Sequence, residues 1–156
     1  MRVVLTAIAL TLATSATGGI EHTLLHGVSV RAVQVWTGPE AIPGLTKESI
    51  QSVAELRLRE AGIRLDPSAT AELSISATTM VSDSGACFAS LEAKLLEDAR
   101  LVRNGLRVEA SSWHRGALVS VHTEVCAKSI TDATSSSIAD FVETFRAMNP
   151  APSKAQ

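Results

Sequence analysis

Asn104-Gly105 constrains this chain more than any other pair in it. Asn-Gly is the strongest short signal for a two-residue type I′ hairpin, because both central residues must reach positive φ. It stands inside Cys87–Trp113, CFASLEAKLLEDARLVRNGLRVEASSW. The expected pairing sets Leu101-Val102-Arg103 against Leu106-Arg107-Val108. Upstream, Ala71 to Val81 alternates strictly. Ala71, Leu73, Ile75, Ala77, Thr79 and Val81 share one phase, and Glu72, Ser74, Ser76 and Thr78 the other, as in a strand with one covered face. Ser82-Asp83-Ser84-Gly85 is a turn, so the two strands read as a meander.

Cys87 to Val102 fits two periods. Cys87, Ala89, Leu91, Ala93 and Leu95 alternate, whereas Phe88, Leu91, Leu95, Ala99 and Val102 also lie on one helical stripe. The Asn-Gly turn and the preceding meander decide for a strand. Downstream, His114-Arg115-Gly116 reads as a turn, and Ala117 to Val125 as another alternating strand. Val28 to Trp36 is rich in β-branched residues. Its phase shifts between Ala32 and Val33, which predicts a bulge near Ala32 or burial on both faces. Thr37 to Leu45, with two glycines and two prolines, is a loop.

Two helices complete the pattern. Thr46 is a good N-cap, Glu48 suits the first turn and Gly62 suits the position after the C-terminus. Ile50, Val53, Ala54, Leu58 and Ala61 form the apolar stripe. Arg57 falls within that stripe, either aimed at a buried acid or ligand or laying its stem along the core with its head in water. Ile63-Arg64-Leu65 is expected to enter the sheet briefly, before Asp66-Pro67-Ser68 turns the chain. The second helix is expected from about Ser129 to Met148, with Ile130, Thr134, Ile138, Phe141, Val142, Phe145 and Met148 inward and Asn149-Pro150 as its stop. The expected fold is α+β: a mainly antiparallel sheet with both helices packed on one face. The other face, rich in Ser, Thr, Glu and His, meets water or a partner.

The ends have their own character. Arg2, the uncharged run Val3 to Ala13 and the small residues Thr14-Ser15-Ala16 have the layout of a secretory signal peptide over 1–19, with cleavage near Ala16. Residues 20–150 then make one α+β domain, and 151–156 a disordered tail. The run is short for a membrane span, so no stable span is expected after cleavage. His22 and His26, four apart, would share a helix face and could hold a metal. The flanking Gly18, Gly19 and Gly27 favour a flexible lead-in instead. The histidines give no cofactor expectation.

Cys87 and Cys126 form no C-x-x-C motif. They either bridge, as an oxidising compartment allows, or remain buried thiols. A formal net charge of −2 over 156 residues does not suit a general nucleic-acid binder, which replaces phosphate counterions with a basic surface. There is no Walker A, Rossmann or zinc signature and no G-x-S-x-G elbow. Cys87 with His122 would imitate a thiol catalyst only if the thiol were free.

Three segments carry a resemblance. GLTKESIQSVAELRLREAGI (Gly44 to Ile63), CFASLEAKLLEDARLVRN with a later strand ending near Trp113, and Ala147-Met148-Asn149-Pro150 resemble a group of small, exported, uncharacterised bacterial proteins. The likeness covers roughly Val28 to Pro150. It implies export and the strand reading of Cys87 to Val102. It implies no activity, no site residues and no disulfide.

Candidate functional residues follow from charge and placement. Arg100, Arg103 and Arg107 cluster at the hairpin, with Arg115 at the next expected turn and Asp98 and Glu109 as local neutralising partners. They either contact an anionic lipid or acidic partner, or decorate a sheet edge against aggregation. His122 and Glu124 are expected on one strand face, where they read as a solvated surface or as part of an interaction surface. The preferred functional expectation is a non-catalytic exported protein, periplasmic or secreted, that binds another envelope protein or surface component. The alternatives are a small secreted hydrolase or metal-dependent enzyme using His114, His122 and Glu124, and a chaperone-like module that presents a strand edge. Oligomeric state is left open.

Overall fold

The structure is a computed structural model and describes residues 25–38 and 41–150. The expected leader and its cleavage site, His22 and the expected tail lie outside the described residues. Six elements follow in the order β1 (Val30–Thr37), α1 (Lys47–Glu60), β2 (Ala71–Val81), β3 (Ala86–Arg100), β4 (Arg107–His122) and α2 (Thr123–Met148). The four strands form one sheet in sequence order. β1 pairs with β2 in parallel, and the other two pairings are antiparallel. The parallel pair requires a crossover, and α1 supplies it.

The alternation in the sequence sorts the two faces of the sheet. Leu73, Ile75, Ala77, Ala89, Leu91, Ala93 and Leu95 are buried, with Ile50, Ala54 and Leu58 of α1 and Ile130, Ile138 and Phe141 of α2 packed into the same core. Both helices therefore cover one face, as expected. Phe141 meets Trp113 edge-on with ring centroids 5.1 Å apart, and Phe145 extends the aromatic row at 5.9 Å. The register of β1 shifts between Val30 and Ala32, at the expected bulge. A second shift, between Leu95 and Leu96, leaves Ser112 of β4 as an extra residue. Its hydroxyl donates to the Glu97 carboxylate.

α1 begins where its cap predicts. Thr46 Oγ1 accepts from the Ser49 N–H at 3.1 Å, and Ser49 Oγ accepts from the Thr46 N–H at 3.0 Å, a reciprocal capping box. Arg57 takes its solvent-facing form and bridges the helices. Its Nε donates to Ser135 Oγ at 2.8 Å, and its guanidinium meets Glu60 at 3.1 Å.

Several expectations are corrected. The hairpin stands where Asn104-Gly105 places it, but the turn is not type I′. Only Gly105 has positive φ, at 69°. Leu101 pairs with Leu106, and Gly105 N–H donates to Leu101 O at 2.7 Å. The loop is thus Val102–Gly105, Asn104 stays right-handed, and Arg100 rather than Val102 pairs with Arg107. His114-Arg115-Gly116 makes no turn. The three residues pair with Lys94, Ala93 and Glu92 inside an unbroken sixteen-residue β4. A long partner strand outweighs one weak glycine. The strand does not reach Val125, because α2 starts at Thr123, one and a half turns before the expected Ser129. Ile63-Arg64-Leu65 lies outside the sheet, although the Asp66 N–H still donates to Val30 O at 2.9 Å.

The start of α2 is built on the β2–β3 turn. Gly85 O accepts both the Thr123 N–H at 2.9 Å and Thr123 Oγ1 at 2.7 Å. Gly85 itself needs positive φ, 79°, and a Cβ there would press on His122 Nε2 at 3.2 Å. One turn into the helix, Cys126 bridges to Cys87 of β3 with Cα atoms 6.1 Å apart. Both cysteines are fully buried. The bridge spans 39 residues and returns α2 across β4 onto the core. At its other end, Asn149 fastens the helix to the start of the domain. Its Oδ1 accepts from Gly27 N–H at 2.7 Å, and its Nδ2 donates to Leu25 O at 2.8 Å.

Candidate functional site

The helices leave one sheet face uncovered, and strand register assigns its residues. Across the sheet run the rows Gln34–Ser74–Lys94–His114, Trp36–Ser76–Glu92–Gly116, Thr78–Ser90–Leu118 and Met80–Phe88–Ser120. Four large apolar side chains stand among these hydroxyls with much of their surface in water: Trp36 at 60%, Met80 at 57%, Phe88 at 42% and Leu118 at 87%. Met80 and Phe88 are directly opposite each other, and Phe88 neighbours Leu118 across the diagonal. Lys47 Nζ reaches the Trp36 ring at 5.6 Å.

The face is charged toward its middle. Lys94 Nζ contacts Glu92 at 2.5 Å. That hydrogen bond, then the Lys94 charge, with a smaller contribution from His114, holds the Glu92 carboxyl below its ordinary range. Beyond the last β2–β3 pair, Glu72–Leu96, β3 and β4 continue alone as a two-stranded arm. Asp98 faces Glu109 and Arg100 faces Arg107 on the arm. Arg103 lies in the loop, where Val102 is fully exposed.

The residues singled out from the sequence are therefore spread along the β3–β4 ribbon. Arg100, Arg103 and Arg107 come together at its free end. His122 and Glu124 come together at the other, with His122 Nδ1 3.9 Å from Glu124 Oε2 and both exposed, about 50 Å away at the usual strand rise. They do not share a strand face, since Glu124 is helical. His114 sits between, about 26 Å along β4 from His122, so His114, His122 and Glu124 do not converge. Arg115 turns to the helix side and binds Asp140 at 2.8 Å. Among the described residues, no three His, Cys, Asp or Glu side chains are placed to hold a metal ion. Cys87 is in the disulfide, so it offers no thiolate to His122. A cleft of about 590 Å³ lies between the end of α1 and the end of α2. There the Arg146 guanidinium donates to Ala61 O at 2.7 Å, which commits that group to the fold.

The exposed apolar residues of the open face were not singled out from the sequence as a group. The signal was present: Met80 falls in the polar phase of β2, and Phe88 and Leu118 fall in the polar phases of their strands.

No known protein family matches this chain, and no curated protein matches it. Among solved structures, it is similar to the PelC dodecamer from Paraburkholderia phytofirmans in two crystal forms, one of a point variant. The variant is 18% identical with a TM-score of 0.44, covering 75% of this chain and 90% of that one. The other form is 20% identical with a TM-score of 0.43, covering 76% and 87%.

Proposed function

We propose that this chain is an exported, non-catalytic binding protein of the cell envelope that receives another envelope protein on the open face of its sheet. The observation that carries this reading is the placement of Trp36, Met80, Phe88 and Leu118 on the face that no helix covers. Large aromatic, Met and Leu side chains held in water by rigid strands are costly unless a partner buries them. The hydroxyls around them supply a polar rim. The Cys87–Cys126 bridge supports the compartment, since such bridges form and persist in oxidising environments. Among the described residues no helix is long and apolar enough to cross a membrane.

The test is cross-linking in intact cells followed by purification under denaturing conditions. The wild-type chain is expected to return one reproducible envelope partner, lost in the double variant Phe88→Asp/Leu118→Asp. Both positions are exposed, so circular dichroism and the intact bridge should report a folded variant, with some stability lost because Asp is disfavoured in strands. Retention of the partner by the double variant, or no reproducible partner at all, would overturn the reading.

A further inference from the structure

The arm of the β3–β4 ribbon poses a separate question, because it does little for the fold. Between Arg100 and Arg107 the sequence RLVRNGLR holds three arginines and no carboxylate. None of the three enters an ion pair among the described residues. Arg100 and Arg107 are directly cross-strand, an arrangement that repels unless something anionic lies over it. The carboxylates nearest in register, Asp98 and Glu109, stand two pairs further in, beyond Ala99–Val108, and also face each other. They leave the tip itself positive.

The same tip carries two exposed apolar groups. Val102 is fully solvent-exposed and Leu106 is 60% exposed. The loop is braced from within, by Gly105 N–H to Leu101 O at 2.7 Å and Leu106 N–H to Asn104 Oδ1 at 3.2 Å. These side chains are therefore presented by an ordered backbone. Apolar residues at the farthest point of a projection, ringed by guanidinium groups, match the two layers of an anionic bilayer surface: acyl boundary and phosphate headgroups. An acidic protein groove would satisfy the arginines but would not call for Val102 at the apex.

We infer that the arm is a membrane-contact element, with Val102 and Leu106 entering the interface of an anionic lipid bilayer and Arg100, Arg103 and Arg107 engaging its phosphates. This goes beyond the open-face reading and uses none of its apolar residues, so the two can fail separately.

The test is sedimentation of the disulfide-intact full chain with two kinds of vesicle: phosphatidylcholine alone, and a phosphatidylcholine–phosphatidylglycerol mixture. Wild type is expected to prefer the mixed vesicles, with binding that weakens as salt is raised. The triple variant Arg100→Ala/Arg103→Ala/Arg107→Ala should lose roughly a hundredfold in affinity, at about one surface-charge increment per arginine. Val102→Asp/Leu106→Asp should bind the mixed vesicles no better than the neutral ones. Leu56→Asp, an exposed apolar position on α1, should bind as wild type does. Circular dichroism and the intact bridge report folding of each variant. Equal binding of wild type to both vesicle types, undiminished binding by the triple variant, or an equal loss in Leu56→Asp would overturn the proposal.

Discussion

The two ends of the β3–β4 ribbon are made of the same kind of strand and treated in opposite ways. At one end, Cys87 is bridged to α2, the Gly85 carbonyl holds Thr123 twice, and Leu91, Ala93 and Leu95 lie beneath the helices. At the other, the residues beyond Leu96 have only each other, and the tip side chains meet water. Fastening is concentrated where the chain changes from strand to helix. The free end keeps its backbone ladder but gains almost nothing from packing. Holding a long ribbon firmly at one end is a way to present the other at a fixed distance from the core.

The largest test of this contrast is the bridge. Cys87→Ala/Cys126→Ala should cost about 4 kcal/mol by loop-closure entropy over its 39 residues, read as a lowered urea midpoint. A change under about 1 kcal/mol would mean that α2 is held by packing alone. Next comes Thr123→Ala, which removes one hydroxyl bond to Gly85 O and should cost about 1 kcal/mol. At the free end, Val102→Ser should alter stability by less than about 0.5 kcal/mol. Amide hydrogen exchange should there show Ala99 to Val108 opening far more easily than Cys87 to Leu95. Equal protection at both ends would break the comparison.

The smallest expected effect is on pH dependence. Glu92 is held below its ordinary 4.5 first by its hydrogen bond to Lys94. Asp66 is held below 3.8 by the Ser68 hydroxyl and then the Ser68 N–H. Glu48 is lowered by a backbone hydrogen bond and then by Thr46 at the start of α1. The folded values lie under the unfolded ones, so the unfolded chain binds more protons as the solution is acidified. Their stabilisation is present above the ordinary carboxylate range and is lost as pH falls through the depressed values. Urea midpoints taken from neutral pH into acid should drift down gently, and Glu92→Gln should flatten part of that drift. All three groups are solvated, and none belongs to the arm, so the arm's exchange should not follow the drift.

Much of the fold was legible because local and long-range signals agreed. β2 alternates cleanly from Ala71 to Thr79, and its bounds are those read from the sequence. Thr46 and Gly62 bracket α1. Asn104-Gly105 resolved the strand-or-helix ambiguity of Cys87 to Val102 correctly, even though the turn itself closes as a four-residue loop. The misreadings came from letting local cues stand alone. Gly116 looked like punctuation, but its place opposite Glu92 is set by a partner strand. Thr123 and Val125 continued an alternating phase, while Cys126 already sat one turn ahead of Ile130 on the α2 stripe. The candidate site was only half visible. The arginine cluster is local in sequence and was found. Its separation from His122 and Glu124 follows from β4 running unbroken, and the freestanding arm from β2 being shorter than β3, which no single segment encodes.

The bridge also makes a covalent ring of everything between Cys87 and Cys126, the tip included. A trypsin-like protease that cut after Arg100, Arg103 or Arg107 would open this ring without releasing either half. The nicked protein would travel as one molecule until a reductant parted it into two fragments. The peptide bonds of this exposed tip therefore lie inside a loop that survives their breakage.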